Sequence, residues 1–323
     1  MKKAAGIFLL AAITACTNNS NKKMAFVPSS SGNLNNVTVV MPQKQWQGNL
    51  GDKVRETLEE TYEGLPLDEA QFSIVYMNPK AFTGFARQNR NIIWFKKDSL
   101  EGFRMSQNQF ARPQIIAKVI GLDSESQAFY FKENSRLIKQ SINENERLEK
   151  LRRIKKSPTN EKTLSERFGI SLTYPSAYKT VKDTTNFVWI QKEVRKGHLN
   201  IIAYSLPENV LEGSFSTRIL DIRDSIGKKY IPGRLKGTYL ITERAFKPYF
   251  YKAKIDGKKS YLTKGTWEVA NDFMAGPFVN YMVRDSIKKR WMVIEGFTFA
   301  PSASKRDYMF ELNTIINTLE KTD

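Results

Sequence analysis

The chain has 323 residues, of which 41% are hydrophobic and 12% aromatic, so it is long and apolar enough for two domains with cores of their own. Its formal net charge is +18, and it contains one cysteine, Cys16, and one histidine, His198. These counts exclude intrachain disulfides, thiolate metal clusters and sites built on several histidines, and we expect neither a metal nor a cofactor.

The amino-terminal sequence predicts export. Two lysines precede a mostly apolar run over residues 4–15, which has the length of a signal-peptide core and is too short to span a membrane. The run leads into Ile-Thr-Ala-Cys at residues 13–16, which resembles the lipobox of bacterial lipoproteins. The resemblance implies that residues 1–15 are removed, that Cys16 carries a thioether-linked diacylglycerol, and that the new amino terminus is acylated. The alternative is an ordinary secretory peptide with an incidental cysteine.

The segment from residue 16 to residue 33 is rich in Asn, Ser and Lys, and its composition predicts a flexible tether. The membrane is the first partner that we expect, through the lipid on Cys16. For an exported protein we expect no nucleic acid partner despite the positive charge. The other partners within reach are an envelope protein and anionic lipid head groups or glycans, which a basic surface would attract.

Residues 34–156 predict an N-terminal domain. A β-branched run over residues 37–41 indicates a strand, and residues 46–62 have the apolar spacing of a helix that ends near Gly64. Further strands are expected over residues 72–77, 91–95 and 114–120, and a long helix over residues 124–156. Ser124 and Gln127 are spaced as a capping box at the start of that long helix.

Residues 163–323 predict a C-terminal domain after a break at residues 157–160. Its strands are expected over residues 168–174, 187–194, 198–205, 249–255, 260–269, 278–283 and 291–299, and its helices over residues 215–230 and 304–319. Asp256-Gly257 is a strong hairpin signal, and strands joined by tight turns pair antiparallel. The expected fold class is α+β, with two domains that are each an antiparallel sheet packed against helices.

The order of elements in the second part is similar to the PsbP/Mog1-like αβα sandwich. Tyr174-Pro175, Glu295-Gly296-Phe297 and Ala300-Pro301 lie at matching points of that order. The resemblance implies an accessory or binding module, since domains of this kind often act as one.

The whole chain resembles an uncharacterised lipoprotein family of the Bacteroidota, a domain of unknown function. The residues that carry this resemblance, beside the lipobox, are Trp46-Gln47-Gly48, Gly51-Asp52-Lys53-Val54-Arg55, Gly64-Leu65-Pro66, Arg112-Pro113-Gln114 and Gly276-Pro277-Phe278. The resemblance implies a cell-envelope location and no particular chemistry. Residues 17–23 lack the acidic residues of surface-displayed lipoproteins in that phylum, so we expect an outer-membrane anchor that faces the periplasm. Inner-membrane anchoring and surface exposure are the alternatives.

Two carboxylates lie in apolar, aromatic strands and are the candidates for catalysis. Glu268 follows Trp267, and Glu295 precedes Gly296; such a pair could hydrolyse a glycosidic bond. The alternative, which we prefer, is that they are strand-edge charges or ion-pair partners of the abundant Lys and Arg.

Gly48, Gly51 and Arg55 lie at the start of the first predicted helix. Free backbone N–H groups at a helix start can hold an anion, so these residues are a candidate anion or ligand site. The alternative is a tight turn followed by a helix cap.

The sequence as a whole predicts a lipid-anchored, non-catalytic binding or accessory module of the periplasm. The alternatives are a carboxylate-based envelope hydrolase and a basic module that binds anionic lipid or lipopolysaccharide.

Overall fold

The computed structural model describes residues 27–211 and 214–322. The expected signal peptide, Cys16 with its expected lipid, and the tether up to residue 26 lie outside the described residues. No helix within the two described ranges is long and apolar enough to cross a membrane.

The last part of the expected tether belongs to the folded chain. Ser29 and Ser31 form isolated β-bridges with Arg112 and Asn89, and the Ser30 N–H donates to the carbonyl of Arg112 at 3.1 Å. These backbone hydrogen bonds hold residues 29–31 against the segments that contain Asn89 and Arg112. Residues 29–31, which we expected to belong to the tether, are therefore paired with the folded chain.

The N-terminal half (residues 27–155) contains a five-stranded sheet. Its elements in chain order are β1 (Asn36–Val40), α1 (Gln43–Trp46), α2 (Asn49–Leu58), β2 (Ser73–Met77), β3 (Asn91–Lys97), β4 (Gly102–Gln107), β5 (Ile115–Gly121) and α3 (Ser124–Ile154). The spatial order of the strands is β2-β1-β3-β5-β4. The helix expected over residues 46–62 is thus divided into α1 and α2, with a break at Gly48.

The strands of this first sheet are mostly parallel, which corrects our expectation of an antiparallel sheet in the N-terminal domain. β1 pairs in parallel with β2 and β3, and β3 with β5, while only β4 runs antiparallel, on the edge beside β5. The chain between β1 and β2 contains α2, and a parallel pair requires a crossover of this length. The near-continuous apolar residues of β1 and β5 are typical of parallel strands that are buried on both faces.

α2 and α3 cover one face of this sheet and bury a shared apolar core. Leu50, Val54 and Leu58 of α2 pack there with Phe131 and Ile138 of α3. The cap of α3 lies one residue earlier than expected: the Asp123 carboxylate accepts the N–H groups of residues 125 and 126, and the residue-126 hydroxyl completes the capping box. An acceptor there satisfies N–H groups that have no partner inside the helix.

The C-terminal half (residues 157–322) contains an eight-stranded antiparallel sheet. Its elements in chain order are α4 (Thr163–Phe168), β6 (Ile170–Ser171), β7 (Lys179–Thr184), β8 (Phe187–Val194), β9 (Gly197–Pro207), α5 (Phe215–Tyr230), β10 (Leu240–Thr242), β11 (Tyr249–Ile255), β12 (Lys258–Val269), β13 (Asp272–Asp285), β14 (Arg290–Phe299), α6 (Arg306–Ile316) and β15 (Glu320–Lys321). The main strand order is β10-β12-β13-β14-β9-β8-β7, and β11 pairs with the other part of the β12 edge. β6 and β15 form a separate two-stranded sheet.

Helices lie on both faces of the second sheet, so this half is an αβα sandwich. α5 belongs to the core on one face, through Ile219 and Ile222, and α6 to the core on the other, through Leu312 and Ile315. The α+β class and the antiparallel prediction are confirmed for this half. The strand expected over residues 168–174 is wrong, because α4 includes Phe168 and only β6 is extended there.

Candidate functional site

A loop of the N-terminal half enters the C-terminal half and forms the junction between them. The loop lies between α2 and β2, and backbone hydrogen bonds close its two ends: Tyr62 N–H donates to Glu69, and Gln71 N–H donates to Glu60. Leu65, at its tip, is 3% exposed and packs in the same core as α6. The two halves therefore share apolar core as well as polar contacts.

A polar groove of about 450 Å³ opens beside this loop. The loop forms one wall, α3 and α6 contribute further walls, and Lys264 of β12 also lines the groove. Gln140, Asn143, Glu144 and Arg147 of α3 line the groove, and their spacing of three and four residues puts them on one helix face. Ligand sites often lie at such junctions between folded units, so the groove is the candidate functional site.

Side-chain amides give the groove its hydrogen-bonding capacity. Gln71, Gln140 and Asn143 line it, and their side chains make no hydrogen bond with other residues in the described part of the chain. Each amide offers two N–H donors and a carbonyl acceptor. Asn313 of α6 is already fixed, because its side-chain carbonyl accepts the Tyr281 hydroxyl at 2.8 Å. The groove thus contains three amides without a hydrogen-bond partner among the described residues and one, that of Asn313, which is held by a tyrosine.

Three carboxylates line the groove, and each of them accepts a hydrogen bond from a cation. The pairs are Glu60 with Lys139 at 2.6 Å, Glu63 with Lys264 at 3.1 Å, and Glu144 with Arg147 at 2.7 Å. In the last pair the guanidinium makes two parallel hydrogen bonds, one to each carboxylate oxygen. Glycoside hydrolysis requires one carboxyl group that gives a proton to the leaving group, whereas each of these carboxylates is held by a cation.

Two tyrosines near the loop keep their protons at neutral pH. Burial, followed by the charges around it, raises the pKa of Tyr62. Burial, together with the hydrogen bond to the Glu63 carboxylate, raises the pKa of Tyr251 to about 12. Both hydroxyls are therefore hydrogen-bond donors at neutral pH.

The α6 wall of the groove is fixed by a carboxylate from the other half of the chain. The Glu69 side chain accepts the backbone N–H groups of Lys305 and Arg306 at 2.8 Å and 2.9 Å, and it also accepts the Ser304 hydroxyl. We expected Ser304 and Asp307 to cap this helix, but its flanking residue Lys305 provides no side-chain cap. Glu69 takes that place because the junction loop brings it to the helix start.

A second charged cluster joins the halves behind α6. Glu311 accepts hydrogen bonds from Lys150 of α3, from Lys192 at 2.7 Å and from the Tyr178 hydroxyl at 2.9 Å. Burial raises the pKa of Glu311, but the two lysines outweigh burial and hold the pKa below its usual value. Glu311 is 6% exposed, so its charge depends on these partners.

Glu295, one of the two catalytic candidates, lies in the interior of the second sheet. It is 0% exposed and accepts from Arg223 of α5 at 2.8 Å and from Asn280 at 2.8 Å. Arg223 also donates to the Thr242 hydroxyl, and its guanidinium lies 3.8 Å from the centre of the Phe278 ring. Glu295 is therefore the acceptor of a buried ion pair that joins α5 to the sheet.

Glu268, the other candidate, is half-buried beside two further carboxylates. Burial, the hydrogen bond with Glu243 and the charge of Asp224 raise its pKa. Glu268 pairs with Ala275 of β13 and Glu295 with Asn280, so the two glutamates lie roughly 15–20 Å apart in the sheet. The structure does not bring them together, and neither lines the groove.

The candidate anion residues have structural partners. Gly51 is in close contact with α1: a Cβ there would lie 1.9 Å from the Trp46 carbonyl oxygen. The Arg55 guanidinium donates to that carbonyl at 3.1 Å and to Asp52 at 2.6 Å, and it lies 4.4 Å from the Trp46 ring centre. Gly48 is the N-cap of α2. These contacts explain the residues by the α1–α2 turn without a ligand.

The groove itself was absent from our expectations. The polar stripe of α3 was visible in the sequence as the spacing from Gln140 to Arg147, but a charged stripe is usually a solvated helix face. The junction loop carried one further signal: at Gly64, which has φ +86°, a Cβ would lie 3.0 Å from the Lys264 side chain. The sequence shows the glycine but not the strand that approaches it.

Within residues 27–211 and 214–322, no group of three or more His, Cys, Asp and Glu side chains could hold a metal ion. The acidic residues around Glu268 are partly neutralised, since Arg244 pairs with Asp221 and Asp224 at 2.8 Å each. The lipid site expected at Cys16 lies outside the described residues and stays a prediction.

Comparison with solved structures finds likenesses that cover about half of the chain. Cyanobacterial PsbP from Synechocystis is 10% identical, with a TM-score of 0.32 over 47% of this chain and 86% of that one. The Ran-binding protein Mog1p of Saccharomyces cerevisiae is 11% identical, with a TM-score of 0.32 over 48% and 91%. LpqN of Mycobacterium tuberculosis, described as involved in cell envelope biogenesis, is 13% identical, with a TM-score of 0.30 over 48% and 83%.

Two family models divide the chain almost where the two halves meet. One, a domain of unknown function (DUF8532), matches residues 30–155, and the other matches residues 157–318. The curated proteins include no match. Since the second model covers half of the sequence, the chain belongs to the family described as a domain of unknown function, DUF4837.

Proposed function

We propose that this protein is a lipid-anchored, non-catalytic binding module of the cell envelope, and that the junction groove binds a polar glycan. The observation that carries the proposal is the set of side-chain amides, Gln71, Gln140 and Asn143, that line the groove without partners among the described residues. Polar groups placed so in a groove are available to a ligand.

The chemistry of the groove favours a glycan over an apolar ligand. Sugar hydroxyls both donate and accept hydrogen bonds, and amides, carboxylates and threonine hydroxyls match them in both directions. The rings of Tyr62 and Phe310 contribute apolar surface, against which the C–H face of a sugar can pack. With three carboxylates and two cations among its lining residues, the groove favours a neutral glycan over a polyanionic one.

The pairing of the acidic residues supports binding without hydrolysis. Glycosidases need one carboxylic acid that holds a proton and a second carboxylate at about 5–10 Å from it. The groove carboxylates are each paired with a lysine or arginine, and Glu295 is bound to Arg223 in the core. The hydrolase alternative therefore has no candidate pair at the groove.

The envelope location is inferred from the amino-terminal sequence. Residues 13–16 resemble a lipobox, and lipid on Cys16 would place the protein at a membrane, which we propose to be the outer membrane on its periplasmic side. A dual or triple acyl anchor is stable, since each buried methylene contributes about 0.8 kcal/mol. Cys16→Ala should abolish labelling by a radioactive fatty acid and leave the precursor uncleaved; labelling of the variant would contradict the anchor.

Ligand binding can be measured separately from anchoring. The probe is an N-acetylglucosamine oligosaccharide, titrated by calorimetry into the protein that lacks residues 1–16. Gln140→Arg and Asn143→Arg put long side chains into the groove and should each weaken binding at least tenfold. Gln43→Arg, on the exposed start of α1, is the matched control and should leave affinity unchanged.

Two results would overturn the groove assignment. One is the absence of binding to the unsubstituted protein, and the other is binding that Gln43→Arg weakens as much as the groove variants. Release of shorter sugars during the titration would instead support the hydrolase. In that event Glu60→Gln, Glu63→Gln and Glu144→Gln would identify the carboxylate that is required.

A further inference from the structure

Two loops at one end of the C-terminal sheet form an exposed apolar and basic surface, which we call the sheet-end tip (residues 233–238 and 270–273). The first loop precedes β10, and the second is the turn between β12 and β13. Because Leu240 pairs with Val269, the two loops extend from neighbouring strand ends. None of the residues that line the groove belongs to the tip.

The tip is held in one arrangement by polar contacts. Arg234 of the first loop makes two hydrogen bonds to the Asp272 carboxylate of the second, at 2.7 Å and 2.8 Å. The Ala270 N–H donates to the Tyr239 carbonyl at 2.9 Å, and the Gly233 N–H donates to the Thr238 carbonyl at 2.9 Å. A planar guanidinium bound by both oxygens of a carboxylate fixes orientation as well as distance.

The tip exposes large apolar side chains from both loops. Phe273 is 104% exposed and Leu235 is 53% exposed, whereas Met274, next along β13, packs into the core. A fully exposed phenylalanine at a hairpin end does not stabilise the fold, and a polar residue could replace it there. Exposed apolar side chains grouped in this way mark contact surfaces.

Exposed cations lie within the tip and at the end of α5, which leads into it. Lys228 and Lys229 at the end of α5 are exposed, as is Lys236 within the tip, and Lys228 lies 5.5 Å from the Tyr239 ring centre. The one carboxylate of the tip, Asp272, is neutralised by Arg234, which lowers its pKa. The turn between β8 and β9 adds Arg195 and Lys196 at the same end of the sheet, because β9 begins where β14 ends.

The opposite end of β13 provides an internal comparison. Ile287 in the turn before β14 is 83% exposed and is followed by Lys288 and Lys289. That end also carries Asp285, which binds Arg290 and Lys321, and the exposed Asp256. It therefore presents a single apolar side chain among charges of both signs, without the second apolar loop.

We infer that the sheet-end tip docks on a bilayer of anionic phospholipid. Phe273 and Leu235 enter the boundary between head groups and acyl chains, and the exposed lysines of the tip and of the α5 end lie near the phosphates. Interfacial residues of this kind reach about 5–10 Å into the membrane, and each nearby cation adds about 1 kcal/mol, or about a fivefold gain in affinity. The contact goes beyond the proposed function, since it requires neither the groove nor a lipid on Cys16.

Vesicle sedimentation tests the inference with the chain that lacks residues 1–16 and hence any attached lipid. The vesicles contain phosphatidylcholine alone or phosphatidylcholine mixed with phosphatidylglycerol. We expect sedimentation with the anionic vesicles only, and a loss of binding as the salt concentration rises. The double variant L235S/F273S should bind at least tenfold more weakly.

Two further variants separate the tip from charge in general. The double variant K228Q/K229Q should weaken binding by about 25-fold, since each cation contributes about fivefold. I287S is the matched apolar control that should bind like the unsubstituted protein. All these positions are exposed, so thermal unfolding at an unchanged temperature is expected for each variant. Equal loss with I287S, binding to neutral vesicles, or no binding to anionic vesicles would each overturn the assignment.

Discussion

The Oε2 atom of Glu69 accepts the backbone N–H of Arg306 at 2.9 Å, across 237 positions of sequence. Arg306 is the first residue of α6, which forms a wall of the groove and has no side-chain cap of its own. A carboxylate at a helix start satisfies a free N–H and is favoured by the helix dipole. The N-terminal half therefore completes a helix of the C-terminal half, and the groove wall depends on both.

Removal of the Glu69 carboxylate should destabilise the junction. Glu69→Ala leaves the first N–H groups of α6 without an acceptor, and we expect the free energy of unfolding to fall by about 1–2 kcal/mol. Urea denaturation measures this change, and hydrogen exchange should become faster at the amides of Lys305 and Arg306. Asp68→Ala removes a neighbouring exposed carboxylate and should change neither value. Equal effects of the two variants would contradict the cap.

Acid should weaken the junction through Glu311. Its pKa is lower in the folded chain than the usual value of 4.5, so the folded state is favoured by its charge above that value. The contribution is lost as pH falls below 4.5 and through the folded pKa. Glu311→Gln should cost about 2–3 kcal/mol at neutral pH, because Lys150 and Lys192 lose their shared partner, and should reduce the further loss in acid.

Urea denaturation between about pH 7 and about pH 3 measures the Glu311 effect. The matched control is Glu320→Gln, which alters an exposed carboxylate near the end of the chain and should leave the pH dependence unchanged. If the Glu311→Gln curve ran parallel to that of the unsubstituted protein, the lysines would not be the source of the lowered pKa.

Local sequence signals predicted the C-terminal half well. The hairpin at Asp256-Gly257 and the helix over residues 215–230 follow from turn chemistry and apolar spacing, and both are present as β11–β12 and α5. The parallel order of the first sheet was not predicted, because it depends on which strands meet in space. Its one signal was the uninterrupted apolar character of β1 and β5.

The junction could not be predicted from one sequence. Glu69 lies in a polar loop whose residues suggest only a turn, and its partner Arg306 looks like an ordinary helix start. Ser304 was predicted to cap α6 because it lies three residues before Asp307, but local spacing alone could not show that Glu69 accepts the first N–H groups of that helix. Glu295 was singled out correctly as unusual, since a carboxylate among apolar strand residues needs a partner, but the sequence did not show that Arg223 provides it.

Substitution of Glu295 should act on stability, and substitution of Glu268 should not. Glu295→Gln removes the charge that Arg223 faces in the core, and we expect a loss of about 3–5 kcal/mol. Glu268→Gln removes a charge that burial and the neighbouring carboxyl groups of Glu243 and Asp224 disfavour, so the free energy of unfolding should stay the same or rise. Urea denaturation measures the free energy of unfolding of the two variants and of the unsubstituted protein. A stable, folded Glu295→Gln protein would contradict the core ion pair and reopen a chemical role.

Gly51 should tolerate an added side chain much less well than Gly48. Alanine is normally the better helix residue, but a Cβ on Gly51 would lie 1.9 Å from the Trp46 carbonyl oxygen, so Gly51→Ala should cost about 2 kcal/mol or more. Gly48 has extended backbone at the N-cap of α2, where a serine hydroxyl can accept an N–H, so Gly48→Ser should change stability by less than about 0.5 kcal/mol. Thermal unfolding with and without inorganic phosphate measures both variants. The contacts of Trp46 with Arg55 and Gly51 predict that Gly51→Ala lowers the unfolding temperature and that phosphate does not stabilise the unsubstituted protein. An anion site at this turn would give a different result: phosphate would stabilise the unsubstituted protein, and Gly51→Ala would remove that stabilisation while the variant kept its stability without phosphate.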